Sequence, residues 1–176
     1  MHPASWFLRT QNRRIATLAM LVLALDQITK AIVLQLLPFV GNEKVVIDGF
    51  FKFVHWQNTG AAWSLFHDKN GLLAIVAAVA LVVLFFSRHH FEMHTCLGQI
   101  AFGLIIGGIL GNLVDRIRVH HVIDFLYFYV RWHGREIGFP AFNVADTSIC
   151  TGVGLIFLIT LRNGSAAKPA EAPKSN

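Results

Sequence analysis

"CLGQIAFGLIIGGILGNLVDR", residues 96–116, is almost wholly apolar or glycine until its last turn, which brings together an asparagine, an aspartate and an arginine. From residue 96 to 114 the run is long enough to cross a hydrocarbon core, which takes about 20 helical residues. Gly103, Gly107 and Gly111 recur at intervals of four. They therefore share one helix face, where a neighbouring backbone can come close. Three further runs, 15–37, 71–87 and 145–161, have a similar character. Of the 176 residues, 55% are hydrophobic and 14% charged, too apolar for an ordinary soluble domain of this size. The expected fold is a mainly α membrane protein, a four-helix transmembrane bundle.

The two longer connections, roughly 38–70 and 115–145, carry strand signals. In "VVIDGFFKFVHWQN" two apolar and aromatic runs flank Asp48-Gly49, a dipeptide that signals a type I′ hairpin. The stretch "VIDFLYFYVRW", 122–132, has the same β-branched and aromatic composition. A small β-sheet at the membrane surface is expected, with Trp56, Trp63 and Trp132 in the interfacial belt. Residues 1–163 read as a single integral-membrane domain. Residues 164–176, "GSAAKPAEAPKSN", read as a disordered tail. The first fourteen residues read as a short interfacial helix or a floppy lead. The first apolar run is too long, and too polar in its middle, for a signal peptide.

Lysines and arginines divide evenly between the two sides of such a bundle, but Arg9, Arg13 and Arg14 precede the first span. That asymmetry puts both termini in the cytoplasm and the two longer connections outside. The formal charge of +5 is scattered rather than striped, which suits lipid headgroups and not nucleic acid. Cys96 and Cys150 lie in apolar runs without CxxC spacing, and both read as small core residues.

Ionisable residues inside a membrane protein point to function or to paired structure. Asp26 and Lys30, four apart in the first span, can meet on one face and neutralise each other. Asn112, Asp115 and Arg116 end the third span at spacings that let all three face one interior, although Asp115 and Arg116 also suit an ordinary interfacial pair. Asn143 and Asp146 stand at the entrance of the fourth span, where Asp146 also suits a helix cap. Asp124, in "HHVIDFLYF", is a second carboxylate in the same outer segment, with no lysine or arginine within three positions. If Asp124 and Asp146 share a water, repulsion and desolvation hold one protonated and leave the other ionised. Such a pair performs acid–base amide hydrolysis without a covalent intermediate. Other chemistries fit poorly. The chain has no HExxH, His89, His90 and His94 fall in a cytoplasmic loop, and His120 and His121, if on a strand, point to opposite faces. Ser64 lacks a GxSxG context and reads as part of a turn into a short helix. From the residues alone, a small transporter lined by the charged groups and a non-catalytic scaffold both stay open.

Five blocks, "DQITK" at 26–30, "NTGAAWS" at 58–64, "GGILGNLVDR" at 107–116, "VIDF" at 122–125 and "FNVAD" at 142–146, stand in the order found in one family. The chain resembles the lipoprotein signal peptidases, also called signal peptidase II. The resemblance implies an aspartic endopeptidase of the bacterial inner membrane that cuts diacylglyceryl-modified prolipoproteins just before the lipid-bearing cysteine. It implies Asp124 and Asp146 as the catalytic pair, and Asn58, Asn112, Arg116 and Asn143 as groups that hold or orient substrate and pair, accompanied by Asp115. Asp26 and Lys30 match positions of structural support. The resemblance further implies a monomer without metal or organic cofactor, and globomycin as an inhibitor. The loop after Thr59 is a candidate cover for the site.

Overall fold

The computed structural model describes residues 3–60, 69–88 and 94–166. Their elements are α1 (Pro3–Leu36), β1 (Glu43–Ile47), β2 (Phe51–Asn58), α2 (Asn70–Ser87), α3 (Cys96–Arg118), β3 (Val122–Trp132), β4 (Arg135–Gly138) and α4 (Val144–Ala166). All four helices are long and apolar enough to cross a membrane, and the strands form one antiparallel sheet in the order β1-β2-β3-β4. This is the expected architecture. The helices overrun their apolar runs, because backbone hydrogen bonding continues wherever nothing breaks it. α1 begins at Pro3 in place of a separate N-terminal segment, and α3 keeps Asp115 and Arg116 within the helix. α4 continues to Ala166, three residues into the expected tail. Trp63, Ser64, the covering loop after Gly60, His89, His90 and residues 167–176 lie outside the described residues.

α3 is the central helix and packs against α1, α2 and α4. Its glycine stripe is the reason. A Cβ at Gly107 would lie 2.7 Å from the Ala19 carbonyl oxygen of α1, and one at Gly108 would lie 2.5 Å from the Ala145 carbonyl oxygen of α4. Gly103, Gly107 and Gly111 thus face α1 as one row, while Gly108, outside the four-residue pattern, serves the other neighbour. α2 has no buried residue at all.

The sheet is seated on the bundle where Phe125 packs with Val33 of α1 and with Leu37 just after it, bordered by Phe53, Leu126 and Val144. Its turns differ from expectation. Between β1 and β2 the loop has three residues, and only Gly49 has positive φ, at 74°. A type I′ turn requires positive φ at both central residues, so this is not one. The added residue, Phe50, earns its place: its carbonyl accepts the Tyr129 N–H at 2.9 Å and its ring meets Phe128 edge-on. The type I′ geometry occurs instead at His133-Gly134, φ 48° and 75°, joining β3 to the unforeseen β4. Across one face Lys52, 4% exposed, ties the strands together through Glu43 at 2.7 Å and Glu136 at 2.8 Å.

Replacing Gly108 by Ala should lower the thermal unfolding midpoint in detergent by an amount equivalent to about 1–3 kcal/mol, the usual cost of overpacking. Gly154→Ala is the control, since a Cβ there meets nothing within 4 Å. Equal midpoints for the two variants would contradict the close α3–α4 contact.

Candidate active site

Asp124 sits near the start of β3, opposite Trp56 of β2, and Asp146 occupies the third position of α4. What joins them is Asn143, the residue before α4. Its Oδ1 accepts the Asp146 N–H at 2.9 Å, and its own N–H donates to Asp146 Oδ2 at 3.2 Å, a reciprocal capping box. The Asn143 amide nitrogen then donates to Asp124 Oδ1 at 2.8 Å. One buried residue therefore reaches both carboxylates, Asp124 through its side-chain amide and Asp146 through its backbone N–H. Asn58 Nδ2 donates to Asp124 Oδ2 at 2.9 Å, and Asn112 Nδ2 donates to Asp146 Oδ1 at 2.7 Å. Among the described residues, each of the four carboxylate oxygens accepts one of these N–H groups.

Both aspartates line a cavity of about 950 Å³. Asn58, Asn112 and Arg116 line it too, with Trp56, Phe139 and Phe142 on the sheet side and Ile149, Cys150 and Thr151 along α4. The expectation that Asn112, Asp115 and Arg116 face one interior is met in part: Asn112 and Arg116 line the cavity, while Asp115 shares Lys30 with Asn112 behind it. Consecutive helical residues diverge by about 100°, and Asp115 turns away from the cavity to Lys30 Nζ at 2.7 Å. Nor is it an interfacial partner of Arg116, whose guanidinium donates to the carbonyls of Gly60 at 3.2 Å and Asn112 at 3.4 Å. Asn143 also lies behind the cavity, fully buried. The cysteines are not core residues: Cys96 and Cys150 are both exposed, and Cys150 faces the cavity one turn beyond Asp146. His120 and His121 belong to the turn between α3 and β3, not to a strand.

Behind the pair, Lys30 is 2% exposed and contacts Asp26 Oδ2 at 2.8 Å, Asp115 Oδ2 at 2.7 Å and Asn112 Oδ1 at 3.3 Å. Asp26 Oδ1 accepts the Ala145 N–H at 2.9 Å, linking α1 to the first turn of α4. Gln27, to which the sequence reading gave no role, donates to Asp115 Oδ1 at 2.9 Å. An amide within an apolar span was the available signal.

The sequence profile described as Signal peptidase (SPase) II matches residues 18–162. The chain is 36% identical over 157 residues to the lipoprotein signal peptidase of Syntrophotalea carbinolica, covering 88% of this chain and 94% of that one. It is 39% identical over 153 residues to that of Symbiobacterium thermophilum, covering 85% and 97%. Among solved structures, a bacterial membrane enzyme determined by the in meso method at 2.3 Å resolution superposes with a TM-score of 0.76 at 30% identity, covering 90% of this chain and 93% of that one.

Burial, and after it the neighbouring Asp146 carboxylate, push Asp124 up to about 7, against the opposing amide donors of Asn58 and Asn143. The unfolded chain releases this proton near 3.8, so between those values the folded state holds more protons and loses stability as pH rises. Asp124→Asn removes that penalty. The difference in melting temperature between variant and parent should shift in the variant's favour from pH 4 to pH 8, by the equivalent of a few kcal/mol on the order of the linkage expected. A difference that stays constant over this range would show that Asp124 titrates normally.

Proposed function

The chain belongs to the signal peptidase II family and is a lipoprotein signal peptidase, and on that premise we propose that Asp124 and Asp146 are its catalytic pair. One observation supports the assignment: the two carboxylates line the same cavity, and the buried Asn143 behind it donates its side-chain amide to Asp124 and its backbone N–H to Asp146. Family membership leaves no support for the transporter and scaffold alternatives.

In the proposed reaction Asp146, ionised, takes a proton from a water held between the pair. The water oxygen attacks the scissile carbonyl carbon while protonated Asp124 donates to the carbonyl oxygen, giving a tetrahedral diol. Collapse reverses both roles. Asp146 passes its proton to the departing nitrogen, the C–N bond breaks, and Asp124 recovers a proton from the diol. The products are a signal peptide ending in a carboxylic acid and a cysteine with a free amine, and the pair returns to its starting state. Asn58 and Asn143 fix Asp124, and Asn112 and Asn143 fix Asp146. Arg116 Nε, buried and without a partner among the described residues, is a donor available to the peptide backbone.

The substrate in this reading is a diacylglyceryl-modified prolipoprotein, cut just before the lipid-bearing cysteine. The cavity suits such a chain, because its α4 wall descends into a membrane span while the aspartates stay at one end of the helices. The enzyme acts as a monomer in the bacterial inner membrane, with both termini in the cytoplasm, the site near the outer face, and globomycin-type cyclic peptides as inhibitors. Asp26 and Lys30 serve as support behind the site.

Asp124→Asn and Asp146→Asn should each lower processing of a diacylglyceryl prolipoprotein at least about 10²-fold with the protein still present in the membrane, the scale of a lost general acid or base. Full processing by either variant would remove it from the pair. In the parent, turnover should decline as pH rises through about 7, where Asp124 gives up its proton.

A further inference from the structure

Resting on the catalytic reading of Asp124 and Asp146, we propose that Lys30 is a positioning residue for the reaction and not only a support: its ammonium fixes Asn112 with the amide nitrogen towards Asp146, and so holds Asp146 in the ionised, proton-accepting role.

An ammonium has three N–H donors and no acceptor. Those of Lys30 have three oxygens to meet, on Asp26, Asp115 and Asn112. Asn112 has an acceptor end and a donor end. Turned over, it would press an NH₂ against the buried ammonium and a carbonyl against the Asp146 carboxylate, two unfavourable contacts. Lys30 therefore decides which end faces the aspartate. Asn143 Nδ2, 3.2 Å from Asn112 Oδ1, reinforces the same orientation.

The charges around Asp146 explain why the amide matters more than the bare charge. α1 supplies Lys30 and Asp26, α3 supplies Arg116 and Asp115, and β3 supplies Asp124. Lys30 lies between two carboxylates, so the group of three carries one net negative charge and has little cationic field to offer. What reaches Asp146 is the Asn112 side-chain N–H at 2.7 Å, together with the backbone N–H of Asn143 at 3.2 Å, just before α4. Asp124, on a strand, is met among the described residues by the side-chain amides of Asn58 and Asn143. The two carboxylates are thereby made unequal, as acid–base division of labour requires.

The test is the double variant Lys30→Met/Asp115→Asn, which removes one positive and one negative charge and keeps the net charge of the buried group. It is purified in detergent and assayed on a diacylglyceryl prolipoprotein for kcat, KM and the pH dependence of kcat. The expected result is a fall in kcat of about tenfold, the scale of one lost hydrogen bond to a charged group, with KM unchanged and the acidic limb moved up by about one pH unit. A folded double variant with the parent's acidic limb would reduce Lys30 to a structural residue and overturn the proposal. If the double variant does not accumulate, Lys30→Met/Asp26→Asn reads the same limb at the same net charge and leaves an oxygen for the Ala145 N–H; an unmoved limb there overturns the proposal equally. Failure of the underlying catalytic reading is recognised separately, by activity surviving in Asp124→Asn or Asp146→Asn in the same assay.

Discussion

One ammonium group, that of Lys30, is enclosed where three parts of the molecule converge. Asp26 comes from its own helix and Asp115 and Asn112 from α3, and through Asp26 the contact passes on to the backbone of α4. Burying an ion costs several kcal/mol even after relaxation, and removing one partner of a buried pair typically costs about 3–5 kcal/mol. Such a group adds little net stability compared with a well-packed apolar cluster, but it tolerates few arrangements of its neighbours. Helices that attract one another weakly in lipid gain from it a defined register. The glycines of α3 are the steric counterpart, since a charged cluster of short reach forms only where the backbones come close.

From that register the site follows. With α1, α3 and α4 held together, Asn112 and Asn143 fall next to each other, and the capping box of α4 places Asp146 beside them. β3 brings Asp124 from the opposite side, aligned by its pairing with β2 and by the seat of Phe125 on α1. Asp146 therefore does two jobs: it satisfies a helix terminus and it faces the cavity. The cap favours a carboxylate that stays ionised, while the apolar strand favours one that keeps its proton.

The spans were legible in the sequence because only a long apolar run can cross a bilayer, and Asp124 was legible because an acid amid aromatic strand residues is rarely accidental. The four-residue spacing of Asp26 and Lys30 likewise announced their contact. The direction of Asp115 was not legible from spacing that fits two faces equally well; only the position of Lys30 settles it. β4 was missed because "REIG" has no alternation of its own and a histidine is an unusual first residue for a type I′ turn. Asp48-Gly49 misled for the opposite reason: the local signal was right for a turn, but Phe50 had long-range partners that enlarged the loop. Cys150 was placed in a core because composition cannot separate a helix face that meets another helix from one that borders a cavity.

The capping box has a consequence for drug resistance. An inhibitor that engages the Asp146 carboxylate grips a group that also caps α4 through the N–H of Asn143. A bacterium seeking to evade such a compound by altering those residues would damage the fold along with the binding site. Escape is left to the rim of the cavity, where Trp56 and Phe139 form part of the lining while the amides on the aspartates come from other residues. Compounds that rely on the rim for affinity would be the first to lose it.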